Sequence, residues 1–148
     1  MWTLQFLGKL EAFGPLILRL MVGISFALFH GYGKLVPEGG FDGGGAFAER
    51  AKELAPAFLL YVAAWTEFLG GIAVLVGILT RWAAIGLFIV MLYAIFGVHW
   101  QQGFLGEAGV GGYEKAATYA AMCLAIMVIG PGSLSLDRMF FGKNALNE

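Results

Sequence analysis

Four stretches of this chain stay apolar for about the thickness of a lipid bilayer. A membrane-crossing helix needs about 20 mostly apolar residues. Backbone groups in lipid must be satisfied within the segment, so stretches of this kind are predicted to cross as helices. The first runs from Pro15 to Lys34, with a proline at the first helical position, where its missing N–H does no harm. The second runs from Ala57 to Leu79. Thr80-Arg81 is then too short for anything but an antiparallel hairpin into the third, Trp82 to about His99. A glycine-rich connector, Gln101 to Gly112, leads to the fourth, about Tyr113 to Ile129, which Gly130-Pro131-Gly132 stops. The expected fold is an all-α integral membrane protein. It is an antiparallel four-transmembrane-helix bundle in a single domain over 1–148, with spans at about 15–34, 57–79, 82–99 and 113–129. The third and fourth spans are short, so flanking residues extend them or the bilayer thins locally. Trp2, Trp82 and Trp100 lie at the N-terminus or at span ends, as an interfacial aromatic belt places them.

Composition closes off the alternatives. Hydrophobic residues make up 59% of the chain and charged ones 13%, with a mean hydropathy of +0.79; a soluble domain carries about a quarter charged residues. This excludes a disordered chain and an ordinary soluble enzyme. The net charge of -1 gives no field to attract nucleic acid. The single cysteine, Cys123, rules out an intramolecular disulfide, and amid Ala121, Met122 and Leu124 it reads as a small hydrophobe.

The flanks are amphipathic. Trp2, Phe6, Leu10 and Phe13 recur at helical spacing opposite Lys9 and Glu11, which predicts a short helix lying in the membrane interface. Residues Ala46 to Leu54 have the same character behind a run of glycines, predicting a partly helical loop between spans 1 and 2, either a lid or a surface loop. A signal peptide is disfavoured for the first span, because Arg19 and His30 interrupt it and no small-residue cleavage site follows. Lys and Arg outside the spans tie between the two sides, and Arg19 tips the bias towards cytoplasmic termini.

The informative residues are the ionisable ones inside the spans. A charge near mid-bilayer costs roughly 2.5–3.5 kcal/mol on insertion scales and normally faces protein or a wet cavity. Arg19, Gly23, Phe26 and His30 share one stripe of the first helix; Glu67, Gly70, Gly71 and Val74 share a face of the second. Small residues on both faces predict that the two stripes pack together. Antiparallel geometry then places Glu67 in depth between Arg19 and His30, with Arg19 as its charge partner. His30, Lys34, His99 and Glu114 gather towards the other interface. The expected result is one polar pocket, floored by Glu67. The alternative is a structural Arg19–Glu67 pair that fixes helix register. No tight metal-ligand spacing occurs, so no metal is expected.

These positions resemble the DoxX-like family of small bacterial membrane proteins. The matching pieces are Leu18-Arg19-Leu20, His30-Gly31-Tyr32-Gly33-Lys34-Leu35, Glu67-Phe68-Leu69-Gly70-Gly71 and Gly77-Ile78-Leu79-Thr80-Arg81. His99 with Gly103-Phe104, Gly112-Tyr113-Glu114 and Gly130-Pro131-Gly132-Ser133-Leu134-Ser135-Leu136-Asp137 complete the set. The ordered series, from about residue 15 to 138, carries the resemblance. It implies a four-helix protein of the bacterial cytoplasmic membrane, linked to electron transfer from sulfur compounds or thiols to quinone, or to quinone and thiol stress. Other relatives resemble assembly or trafficking factors without chemistry of their own.

The expectation that follows is a membrane subunit of a quinone-linked redox system. Arg19 and His30 hydrogen-bond the quinone carbonyl oxygens and Glu67 relays protons; these three are the candidate catalytic residues. Lys34, His99, Glu114, Tyr32 and Trp65 complete the candidate ligand-binding set, with Phe26 and Tyr93 as further apolar walls. The sequence has no haem motif, Fe–S cysteines or dinucleotide fingerprint, so a bound quinone or a soluble redox partner subunit must carry the electrons. The runner-up is non-redox binding or transport of a small hydrophobic or zwitterionic molecule, and a third reading is an assembly factor. A homodimer is expected through small residues such as Gly70, Gly71 and Gly77 and the apolar face of the third span.

Overall fold

The computed structural model describes residues 10–36, 57–107 and 110–142. The residues expected to form the interfacial N-terminal helix lie outside this set up to Lys9, and so does the whole expected lid, Ala46 to Leu54. Among the described residues, three helices are long and apolar enough to cross a membrane: α1 (Glu11–Leu35), α2 (Ala57–Val76) and α3 (Thr80–Gln102). A two-residue β-pairing, β1 (Gly106–Glu107) with β2 (Val110–Gly111), closes the connector after α3. Then come α4 (Glu114–Ile129) and the short α5 (Leu136–Phe141).

Helix α1 packs on α2 and α4, and α3 packs on the same two helices. They meet around a core of Val22, Phe26, Val74, Leu87, Met91, Ile95, Ala120, Cys123 and Ile126. The outward surfaces stay apolar, as lipid-facing surfaces do: Ile17, Met21, Phe58, Tyr61, Leu69 and Ile89 are all exposed.

The α1–α2 contact fixes everything that follows. Gly23, Ala27 and Gly31 recur every four residues, forming a small-residue stripe that lets two backbones approach. A Cβ on Gly23 would lie 2.7 Å from Leu75 Cα, one on Gly31 would collide with the backbone of Phe68, and one on Gly71 with that of Ala27. Residues 23, 27 and 31 therefore sit level with 75, 71 and 68, an antiparallel register with no room for slippage. Gly70 is likewise filled by Leu87 of α3, and Gly77 by the Arg19 guanidinium. The glycines expected to receive a second copy are thus used inside one chain.

Both long outer helices change pitch. In α1 the segment Ser25–Tyr32 is π-helical, and in α3 so is Ala94–His99. The chain's two histidines, His30 and His99, lie in these wide turns, a helix geometry that gathers at functional sites.

Candidate functional site

Two polar centres lie inside the structure, one towards each end of α1. The first is built on Glu67 of α2, whose residue exposure is 0%. Glu67 adjoins Phe68, the residue against which Gly31 is pressed. Lys34, near the C-terminus of α1, donates from Nζ to Glu67 Oε2 at 2.5 Å. The partial negative charge at a helix C-terminus also favours a cation there. Burying such a pair repays its desolvation only when the contact is close, and this one is.

His30 lies one turn before Lys34. Its ring sits 5.7 Å from Phe26 and edge-on to Tyr119 at 5.4 Å, while Phe26 and Tyr119 are themselves 5.2 Å apart. A half-buried imidazole is thus bracketed by one ring from its own helix and one from α4. Tyr119 carries no charge and repeats no motif, so its sequence gave no cue; only the packing of α4 on α1 brings it in.

The remaining candidates divide. Tyr32 and Trp65 flank Phe68 at 6.4 Å and 6.0 Å, and both face outward with 42% and 49% exposure. They line the surface around the site, not an internal wall. Tyr93 is also partly exposed on α3, its ring covering Gly97. His99 turns to its own turn, with Nδ1 2.9 Å from Gln102 Oε1. Glu114 is exposed at the start of α4, and its backbone N–H donates to Phe104 O. Stacking of Trp100 on Tyr113 at 5.5 Å pins that connector.

Arg19 stands in the second centre, and here the expected Arg19–Glu67 pair is overturned. The guanidinium donates from Nε to Val74 O (2.9 Å), from Nη1 to Pro131 O (2.9 Å) and Leu134 O (2.7 Å), and from Nη2 to Leu75 O (2.9 Å). It satisfies carbonyls that the C-terminus of α2 and the turn after α4 leave over. Depth explains the error. Glu67 is level with residues 31–32, about 12 residues beyond Arg19, or roughly 18 Å at 1.5 Å per residue. The two side chains therefore lie at different depths and bond to different groups.

Asp137 completes the second centre. Its carboxylate accepts from Leu79 N (2.7 Å), Thr80 N (2.9 Å) and Thr80 Oγ1 (2.7 Å), capping the N-terminus of α3, while its own N–H donates to Gly77 O at 2.7 Å. Leu79, at φ 47°, takes the left-handed turn that this cap holds. Among the described residues no three His, Cys, Asp or Glu side chains gather as a metal-binding set.

The motif pieces therefore sort by place. Those around Arg19, residues 77–81 and residues 130–137 build the capped end; those around residues 30–34 and 67–71 build the Lys34–Glu67 centre. The family model DoxX matches residues 14–100, which spans α1, α2 and nearly all of α3, and the chain belongs to the DoxX family. It is 31% identical over 135 residues to the inner membrane protein YqjF of Escherichia coli (strain K12), covering 91% of this chain and 98% of that protein. It is 32% identical over 143 residues to an uncharacterized protein of Haemophilus influenzae, covering 93% of this chain and all of its relative. No solved structure matches the chain.

Proposed function

We propose that this protein is a membrane subunit of a quinone-linked redox system in the bacterial cytoplasmic membrane, with its site at the Lys34–Glu67 centre. In this reading α4 crosses the bilayer beside α1, α2 and α3, which makes a four-helix transmembrane bundle with both termini in the cytoplasm. The α4 helix has 16 residues, about 24 Å of rise, and needs its flanks or a thinned bilayer to complete the crossing. Membership of the DoxX family and the name of the Escherichia coli relative support the location.

One observation carries the functional reading: a carboxylate with no exposed surface lies in an apolar helix, bonded to an ammonium that stands one turn along α1 from a ring-bracketed imidazole. An ionised group at such a depth is costly and marks a functional site by default. His30 and Lys34 supply donors for the carbonyl oxygens of a quinone head group, Phe26 and Tyr119 supply ring faces, and Glu67 holds or passes the proton. A bound quinone supplies the two-electron acceptor, and a soluble partner that oxidises a thiol or sulfur compound supplies the electrons. Arg19 takes no part, since four of its five N–H donors are held by carbonyls at the other end of α1.

The test is Glu67→Gln in protein purified in mild detergent, with co-purified quinone measured by mass spectrometry and quinone reduction assayed in membranes. The expected outcome is a thermal midpoint within a few degrees of the parent and quinone reduction at least tenfold lower. A second reading, binding or assembly without redox, is favoured by Lys34 already occupying one Glu67 oxygen as a helix lock. Under that reading the variant loses stability, and quinone neither co-purifies nor is reduced by the parent.

A further inference from the structure

We propose that the capped end of the molecule binds the phosphate head group of an anionic phospholipid through Arg81 and Arg138. The acyl chains lie against Trp82 and the outer face of α5.

The buried charges at this end cancel: Arg19 is 2% exposed, Asp137 is buried, and both spend their hydrogen-bonding capacity on backbone groups and Thr80. Arg81 and Arg138 remain. Arg81 Nε is buried with no hydrogen-bond partner among the described residues, and no ion pair forms with its guanidinium among them. That guanidinium lies beside Gly130, where a Cβ would come within 3.2 Å of Nη2. Glu11, exposed at the start of α1, is the other described acid at this end and leaves the balance at one positive charge.

Thr80 and Asp137 are directly bonded, so the residues after each emerge from one point: Arg81-Trp82 on α3 and Arg138-Met139-Phe140-Phe141 on α5. Trp82 is 74% exposed and Met139, Phe140 and Phe141 are all strongly exposed. Two arginines at the same end as an exposed indole and exposed apolar side chains match a phosphate head group with its chains, because arginine forks onto phosphate oxygens and tryptophan prefers the head-group level. The apolar surface is also continuous with the lipid-facing sides of the crossing helices, which makes a lipid its occupant and not a free anion.

Native mass spectrometry of the whole protein from micelles with equimolar phosphatidylglycerol and phosphatidylcholine tests this. Retention should favour phosphatidylglycerol about fivefold, the factor worth about one basic residue at a membrane surface. Arg81→Gln and, separately, Arg138→Gln should each remove most of that preference, whereas Lys115→Gln on α4 should leave it intact. Arg81 Nε has no hydrogen-bond partner among the described residues, a thermal melt checks that its replacement leaves the fold in place, and Arg138→Gln gives an independent reading. Equal retention of the two lipids, an undiminished preference in both variants, or thermal stabilisation by millimolar inorganic phosphate equal to that by phosphatidylglycerol would each overturn the proposal.

Discussion

Glu67 and Arg19 show how differently two buried charges can be used. Glu67 is paired with a flexible ammonium, a partner that can itself exchange a proton. Arg19 meets four carbonyls from two separate segments, partners that cannot. Hydrogen bonds inside membrane proteins average only about 0.6 kcal/mol, so Arg19→Met should cost about 2 kcal/mol or more, with the loss concentrated in stranded carbonyls. Arg19→Lys should fare little better, because a point charge cannot span carbonyls that a planar fork reaches. Unfolding in mixed detergent measures both, and quinone binding should be unchanged in each. That both residues lie within the fold was legible from their positions in apolar runs. Their partners were not, because sequence gives depth along one helix and says nothing of the offset between two.

At the scale of elements, that offset is set by Gly23, Ala27 and Gly31. Their fourfold spacing is visible in the sequence, and their contacts with Leu75, Gly71 and Phe68 set Glu67 beside the end of α1. Gly31→Ala tests the claim against a countervailing trend. In an ordinary helix the change gains about 1 kcal/mol, whereas collision with the Phe68 backbone is an overpacking cost of about 1–3 kcal/mol. Net destabilisation is expected, with Lys34–Glu67 contact weakened, and a thermal melt together with crosslinking of Lys34 to Glu67 reads both. The π-helical turns had no sequence signature, since both segments are as apolar as their neighbours. No helix is predicted after the stop at residues 130–132, so neither α5 nor the capping of α3 by Asp137 was legible. Asp137→Ala removes three hydrogen bonds from the start of α3 and should cost about 1–2 kcal/mol. Limited proteolysis should then cut near residue 136 sooner than in the parent.

For the whole molecule, separation of the two centres makes them energetically independent. The double variant Arg19→Met with Glu67→Gln should therefore show stability losses that add to within about 0.5 kcal/mol, and measurable coupling would place them in one network. The crossing segments were readable because length and apolarity are local properties, whereas the site depended on α4 returning to lay Tyr119 against His30. The Arg19 contacts also order events in time. Two of its acceptors, Pro131 and Leu134, are made more than a hundred residues after the arginine itself. On the ribosome the first helix must therefore enter the membrane with its guanidinium still seeking water or lipid phosphate, and it is completed only when the turn after α4 arrives. A product released early, even with three helices already inserted, carries an exposed charge that quality-control proteases can recognise.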